Sequence, residues 1–262
     1  MNKKEELDNM FSNMSQCTKC TNLISCKGND YSLINIFKDR KFYKNIPSIW
    51  TDWYNRLDSK IMLIGQDWGP FEDMNKFHDL YLNNPTTENW KHIINKEKSM
   101  TKQLLTKYLV KSVEQSSFFI DDDFLNNIFI TNAIMCARKG NNYRGNNINL
   151  KISSLNCTKY LHKQIEIVQP QIILTLGYYP LYSLSNIYGF SIHHTLAENI
   201  NIQKVFEVNS FVIIPLYHPV AQIKKEEQLK QYLEIWKYYN WLLTKQIEFD
   251  TIYMLLKKHM RK

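Results

Sequence analysis

Four short apolar runs limit what this chain can fold into: KIMLIG at 60–65, IFITNAIM at 128–135, QIILTLG at 171–177 and FVIIPLYH at 211–218. Each has the length of one buried strand, and none alternates apolar with polar residues. A strand with one wet face alternates; a strand covered on both faces does not. Helix-prone stretches separate the runs, as crossovers between parallel strands require. The pattern predicts a three-layer α/β/α fold around a central four-stranded parallel sheet. Such sheets bind ligands at the carboxyl ends of their strands. The first run delivers Gln66 and Asp67 there, the second Asn132, the third Gly177 and the fourth His218. Singly, Asp67 reads as a helix cap, Asn132 as a turn residue and His218 as structural. At corresponding strand ends, the three together read as a site.

The remaining chain reads as part of the same single domain over residues 1–262, with no internal repeat or low-complexity linker. Residues 1–16 have amphipathic helical spacing, and 27–57 are aromatic, basic and irregular. Residues 74–127 are helix-prone, above all MTKQLLTKYLVKSV at 100–113, and helical periodicity returns from 226 onward. The stretch 138–156, RKGNNYRGNNINLKISSLN, is rich in Asn and Gly and reads as a loop. Thirty-three Lys and Arg against 25 Asp and Glu give a formal charge of +8, which favours a polyanionic partner such as DNA. MNKKEELDNM lacks the apolar centre of a secretory signal, and no apolar run reaches the length of a membrane span. A cytoplasmic monomer with no membrane partner is the expectation.

Five cysteines in such a chain point away from a disulfide framework and toward metal binding or core packing. Cys17 and Cys20 form a C-x-x-C, which can turn both sulfurs toward one ion or cluster. Two ligands are incomplete; Cys136, directly after the second run, and Cys157 can supply the others. The alternative is that the later pair is ordinary core. Cys26 is read as a free thiol.

Taken in order, CTKCTNL, IMLIGQDWGPFED, IFITNAIMCARKGNN, NCTKYLHKQIEIVQPQIILTLG and PLYHPVAQI resemble the iron–sulfur (family 4) branch of the uracil-DNA glycosylase superfamily. The resemblance covers about half the chain. It implies that Cys17, Cys20, Cys136 and Cys157 hold a 4Fe–4S cluster, with structural zinc as the alternative. It also marks 27–57, 74–99 and the tail at 226–262 as additions, and the stretch between Cys136 and Cys157 as lengthened.

A DNA glycosylase draws its base out of the stack into a pocket. As the C–N bond breaks, positive charge grows on the sugar and negative charge on the base. Asp67 is suited to position water and stabilise the cationic sugar. His218, as a neutral donor, is suited to O2 of the departing pyrimidine. Asn132 can read the base edge, as uracil in one amide orientation and as cytosine in the other. Phe71 and Phe77 are candidates to stack on the flipped base.

The Gly-Gln-Asp at 65–67 matches the uracil-specific enzymes, but Trp68 replaces their proline, and Gly69 stands where their tyrosine blocks a C5 substituent. Glu72 matches a glutamate of the iron–sulfur branch. Gln222 and Ile223 occupy the place of that family's minor-groove wedge, with Lys224 and Lys225 positioned for phosphate. Val220 replaces a small or hydroxyl residue. Three functions follow as alternatives. The first is a repair enzyme excising uracil or a modified pyrimidine. The second is a defence enzyme excising hydroxymethyl or glucosylated cytosine from phage DNA. The third is a non-catalytic iron–sulfur module that binds DNA.

Overall fold

In chain order the elements that build the sheets and flank them are α1 (Lys3–Ser15), β1 (Leu33–Ile34), β2 (Ile61–Gly65), β3 (Ile128–Asn132), β4 (Ala137–Arg138), α2 (Leu150–Val168), β5 (Ile172–Leu176), α3 (Tyr178–Tyr188), β6 (Phe206–Val208) and β7 (Phe211–Leu216), with a short helical stretch over Leu196–Glu198 and Asn199–Gln203 before β6. They come from a computed structural model that describes residues 1–23, 32–38, 53–71, 104, 105, 107, 108, 111, 112, 128–139, 149–208, 210–236 and 238. The four apolar runs contain β2, β3, β5 and β7, and every residue of these strands is buried. They pair in parallel in the order β3-β2-β5-β7. A fifth strand, β6, lies antiparallel on the outer edge of β7. The sequence does not predict it, because Phe206–Val208 is only three residues long and buries only its two ends.

One face of the sheet presents Met62, Ile64, Phe129, Ile173 and Ile213 to the helices. Leu7 and Phe11 of α1, Leu161 and Ile165 of α2, and Leu181 and Leu184 of α3 cover it. The opposite face, with Ile61, Leu63, Ile128, Ile130, Leu174 and Ile214, is equally buried. This explains why the strands do not alternate.

Helix α1 starts at a reciprocal cap: Asn2 Oδ1 accepts from Glu5 N at 2.9 Å, and Glu5 Oε2 accepts from Asn2 N at 3.0 Å. Its Leu7, Met10, Phe11 and Met14 recur at helical spacing and are all buried. Each such side chain is worth roughly 1.5–3 kcal/mol and a cap about 1 kcal/mol, so packing rather than capping holds α1 in place. The described parts of 27–57 belong to the same core. Ile36, Phe37, Trp53 and Leu57 are buried in it, and Trp53 donates through Nε1 to the Ile130 carbonyl at 2.7 Å.

The expected loop at 138–156 is corrected at both ends. Arg138 is in β4, which pairs antiparallel with β1. Helix α2 begins at Leu150, with Asn149 Oδ1 accepting from Ile152 N at 3.1 Å. Asparagine suits loops, but Asn149 is the N-cap that starts a helix. Residues 140–148 lie outside the described set.

By backbone contacts the chain forms two compact units, the first comprising 1–99 and 122–218 and the second 100–121 and 219–262. In the second, residues 104, 105, 107, 108, 111 and 112 are helical, as are 225–236 and 238. Tyr108 stacks on Tyr232 with ring centres 5.4 Å apart, and Trp236 Nε1 donates to Ser112 Oγ at 2.7 Å. The helical readings of 100–113 and of the tail thus hold where residues are described. Those of 74–99, 113–127 and 239–262 lie outside.

Candidate active site

The pairing of β2 with β3 does not stop at the sheet. Beyond it, Ala133 N donates to Gly65 O at 2.8 Å, Ile134 N to Gln66 O at 2.9 Å and Arg138 N to Gly69 O at 2.9 Å. Trp68 Nε1 adds a bond to Met135 O at 3.1 Å. Residues 65–70 are therefore strapped to 133–138, and both segments carry predicted site residues.

Gly65 faces Asn132 across the strand pair. A Cβ on Gly65 would collide with Asn132 Oδ1, so only glycine leaves room for that amide. Asn132 is 3 % exposed, and no hydrogen bond to a described residue occupies its side chain. Gly69 has φ +76, a conformation most side chains disfavour. Its N–H donates to Asp67 Oδ1 at 2.7 Å, closing a tight turn over the carboxylate.

Asp67 is the best-held group of the site. Arg138, which the sequence reading missed, grips it with both prongs: Nε to Oδ1 at 2.9 Å and Nη2 to Oδ2 at 2.7 Å. Gln66 Nε2 adds a fourth bond, to Oδ2 at 2.9 Å. The Asp67 side chain is 4 % exposed and that of Arg138 17 %. Arg138 opens a basic, Asn-rich stretch that reads as solvated loop, and no sequence spacing links 138 to 67. Only the strap does.

His218 follows β7 at the same end of the sheet. Burial lowers its pKa below the ordinary value, and the negative charge of Asp67 opposes that shift. The imidazole therefore sits within electrostatic reach of Asp67 and is neutral at pH 7.

The other predicted residues fall in different places. Trp68 turns its indole to the core, edge-on to Trp53 at 5.8 Å between ring centres. Phe71 is half-buried and packed on the same core. Glu72 and Phe77 lie outside the described residues. Gln222, Lys224 and Lys225 are exposed and Ile223 is half-buried, in the second unit, with 222–224 just before its helix and Lys225 opening it.

The cysteines come together. Cys17 and Cys20 follow α1, Cys136 lies between β3 and β4, Cys157 is on α2, and all four line one cavity. Asn35 fixes the first pair's backbone by donating to Met14 O at 2.8 Å and to Cys17 O at 2.9 Å. Asn156 Nδ2 lies 3.5 Å from Cys20 Sγ. Burial, and then the neighbouring thiols, push the Cys136 thiol well up. Burial takes Cys157 to about 12. Among the described residues no group of three or more His, Cys, Asp or Glu is arranged to hold a metal ion. All four thiols nevertheless face the one cavity. Such a donor set fits a cationic centre of several atoms, which would offset the repulsion that four thiolates otherwise feel. Cys26 lies outside the described residues.

A family model, the uracil DNA glycosylase superfamily, matches residues 51–243, and the chain belongs to that superfamily. Members of this class are DNA glycosylases, hydrolases that bind DNA. A search of curated proteins finds no match. Among the described residues no helix is long and apolar enough to cross a membrane.

Two outcomes are expected. Gly65→Ala should leave the fold intact, as followed by thermal melting, while displacing Asn132. Base release should fall about tenfold to a hundredfold, the worth of one or two neutral hydrogen bonds; an unchanged rate would deny Asn132 its place in the site. The second concerns pH. The unfolded chain takes up a proton on His218 near pH 6.5, whereas the folded chain resists it to lower pH. Stability therefore falls as pH drops below about 6.5 toward the depressed pKa. His218→Asn should remove this loss, so wild-type and variant melting temperatures should run parallel above pH 7 and converge or cross below 6.5. Parallel curves throughout would contradict it.

Proposed function

We propose that the protein is a monofunctional DNA glycosylase that hydrolyses the N-glycosidic bond of a flipped-out uracil or modified pyrimidine. The products are a free base and an abasic site. The observation that carries the reading is the gathering of Asp67, Asn132 and a neutral His218 at one end of the sheet. Asp67 contributes negative charge opposite the cationic sugar and orients the attacking water. His218 donates a hydrogen bond from its ring N–H to O2 as charge builds on the base. Asn132 reads the base edge through its buried side-chain amide. The net charge of +8 and the exposed Lys224 and Lys225 suit a DNA partner. The enzyme acts as a cytoplasmic monomer.

A second reading concerns the base. Among the described residues, its two chain neighbours apart, no atom lies within 4 Å of where a Cβ on Gly69 would stand, and the Trp68 indole is held against Trp53. Both favour an open C5 side, hence a hydroxymethyl or glucosylated cytosine of phage DNA and a role in defence. Uracil, with repair as the role, remains the first reading because the superfamily model matches most of the chain.

Cys17, Cys20, Cys136 and Cys157 hold a 4Fe–4S cluster in this reading, with zinc as the alternative. The cluster supplies structure and no step of hydrolysis. It would tie the end of α1 to the exit of β3 and to α2.

A panel of oligonucleotides carrying different bases, followed by alkaline cleavage at abasic sites, tests the activity. Asp67→Asn should bind DNA normally and lose several orders of magnitude in rate. Activity on uracil at or above that on every C5-modified cytosine sinks the defence role, and activity on glucosylated cytosine alone sinks repair. Release of no base leaves the non-catalytic module. For the cluster, anaerobically purified protein should be brown with broad visible absorption, and Cys17→Ser should abolish the colour while Cys26→Ser keeps it. Colourless protein with stoichiometric zinc would replace the cluster by a four-cysteine zinc site.

A further inference from the structure

The Asp67 carboxylate is saturated. Oδ1 accepts from Arg138 Nε at 2.9 Å and Gly69 N at 2.7 Å; Oδ2 accepts from Arg138 Nη2 at 2.7 Å and Gln66 Nε2 at 2.9 Å. An ionised carboxylate offers about four lone-pair positions, so none remains for a water. Its charge is also already matched by a guanidinium, and that cation would stand beside a sugar turning positive. On the glycosylase reading, on which this inference rests, the arrangement disables both roles of Asp67.

Some donor must leave. Gly69 N belongs to a main-chain turn that Arg138 N itself holds through Gly69 O at 2.9 Å. Gln66 is neutral, and its departure would leave the carboxylate still matched by the cation. Arg138 alone frees a position on each oxygen and restores the negative charge. Its backbone is fixed in β4, opposite Leu33, but its side chain is long and partly exposed. A guanidinium grips a phosphate with the same two-pronged geometry as a carboxylate. DNA delivers phosphates beside any nucleotide that is flipped out.

We infer that Arg138 is a substrate-driven latch. It pairs with Asp67 in the free protein and transfers to a DNA phosphate as the target nucleotide enters. Asp67 gains its free lone pairs and its unmatched charge only then. The sugar cation later replaces the guanidinium as its counter-charge. Arg138 is a positioning residue that acts through Asp67, and it keeps the site silent toward water and free nucleosides.

The test uses the full chain and the best substrate of the oligonucleotide panel, with a methylphosphonate placed at each phosphate flanking the target in turn. If the wild type releases no base from any oligonucleotide, the glycosylase reading falls and the latch with it. If it does, one neutralised phosphate should lower wild-type kcat by about tenfold, the scale of one charge-assisted hydrogen bond. Arg138→Gln should keep kcat within severalfold, raise KM, and lose sensitivity to that methylphosphonate. Arg138→Lys should recover part of the KM. A kcat loss in Arg138→Gln as deep as in Asp67→Asn, with KM unchanged, overturns the latch and makes Arg138 a fixed strut. Should Arg138→Gln melt below the assay temperature, the wild-type scan decides. A kcat effect at one phosphate supports the latch; effects on KM alone at every phosphate overturn it.

Discussion

The site depends on the parallel pairing of β2 with β3 and on its continuation past the sheet. Register matches Gly65 to Asn132. The bonds from Ala133, Ile134 and Arg138 to Gly65, Gln66 and Gly69 then carry the two strands forward as one ribbon. Every buried main-chain group along it needs a partner, so neither segment can shift alone. Asp67, Gly69 and Trp68 lie on one side of the ribbon; Asn132, Cys136 and Arg138 lie on the other. A six-residue strap thus sets the acid, the amide, the cation and one thiol in a single geometry.

The thiol cavity and the acid are neighbours through this strap, since Cys136 and Arg138 are two residues apart. A group held by the four thiols would fix the point from which β4 starts, and β4 fixes the backbone from which Arg138 reaches Asp67. Trp53 reinforces the arrangement from the core side. Its indole bonds the Ile130 carbonyl of β3 and packs against Trp68. Both indoles hold the strap, Trp68 through its bond to Met135 O and Trp53 through its bond to Ile130 O.

Much of this was legible in the sequence because burial on two faces leaves a plain signature. Strands without alternation gave β2, β3, β5 and β7, and reading their ends gave Asp67, Asn132 and His218. The C-x-x-C and the two later cysteines gave the residues of the thiol cavity. What stayed hidden depends on tertiary context. Strand β6 is an edge strand formed only because β7 offers an open side. Residues 150–156 carried loop-like composition just before them, and the helix start rests on the single cap at Asn149. Arg138 looked like solvated charge because an ion pair between residues so distant has no local pattern. Trp68 sat in the motif, but its packing against Trp53 shows only in the folded chain.

The cysteine cavity has a consequence for the order in which the molecule comes into being. Cys17 and Cys20 are made early, but their companion on α2 follows about 140 residues later, roughly 7–30 s at ordinary rates of synthesis. Through that interval the C-x-x-C is an open pair of thiols with no fourth wall, and α1 has no α2 to pack against. The N-terminal segment must therefore wait, unpaired, for the middle of the chain. Assembly of the cavity becomes a late, concerted event in which α1, the exit of β3 and α2 close together.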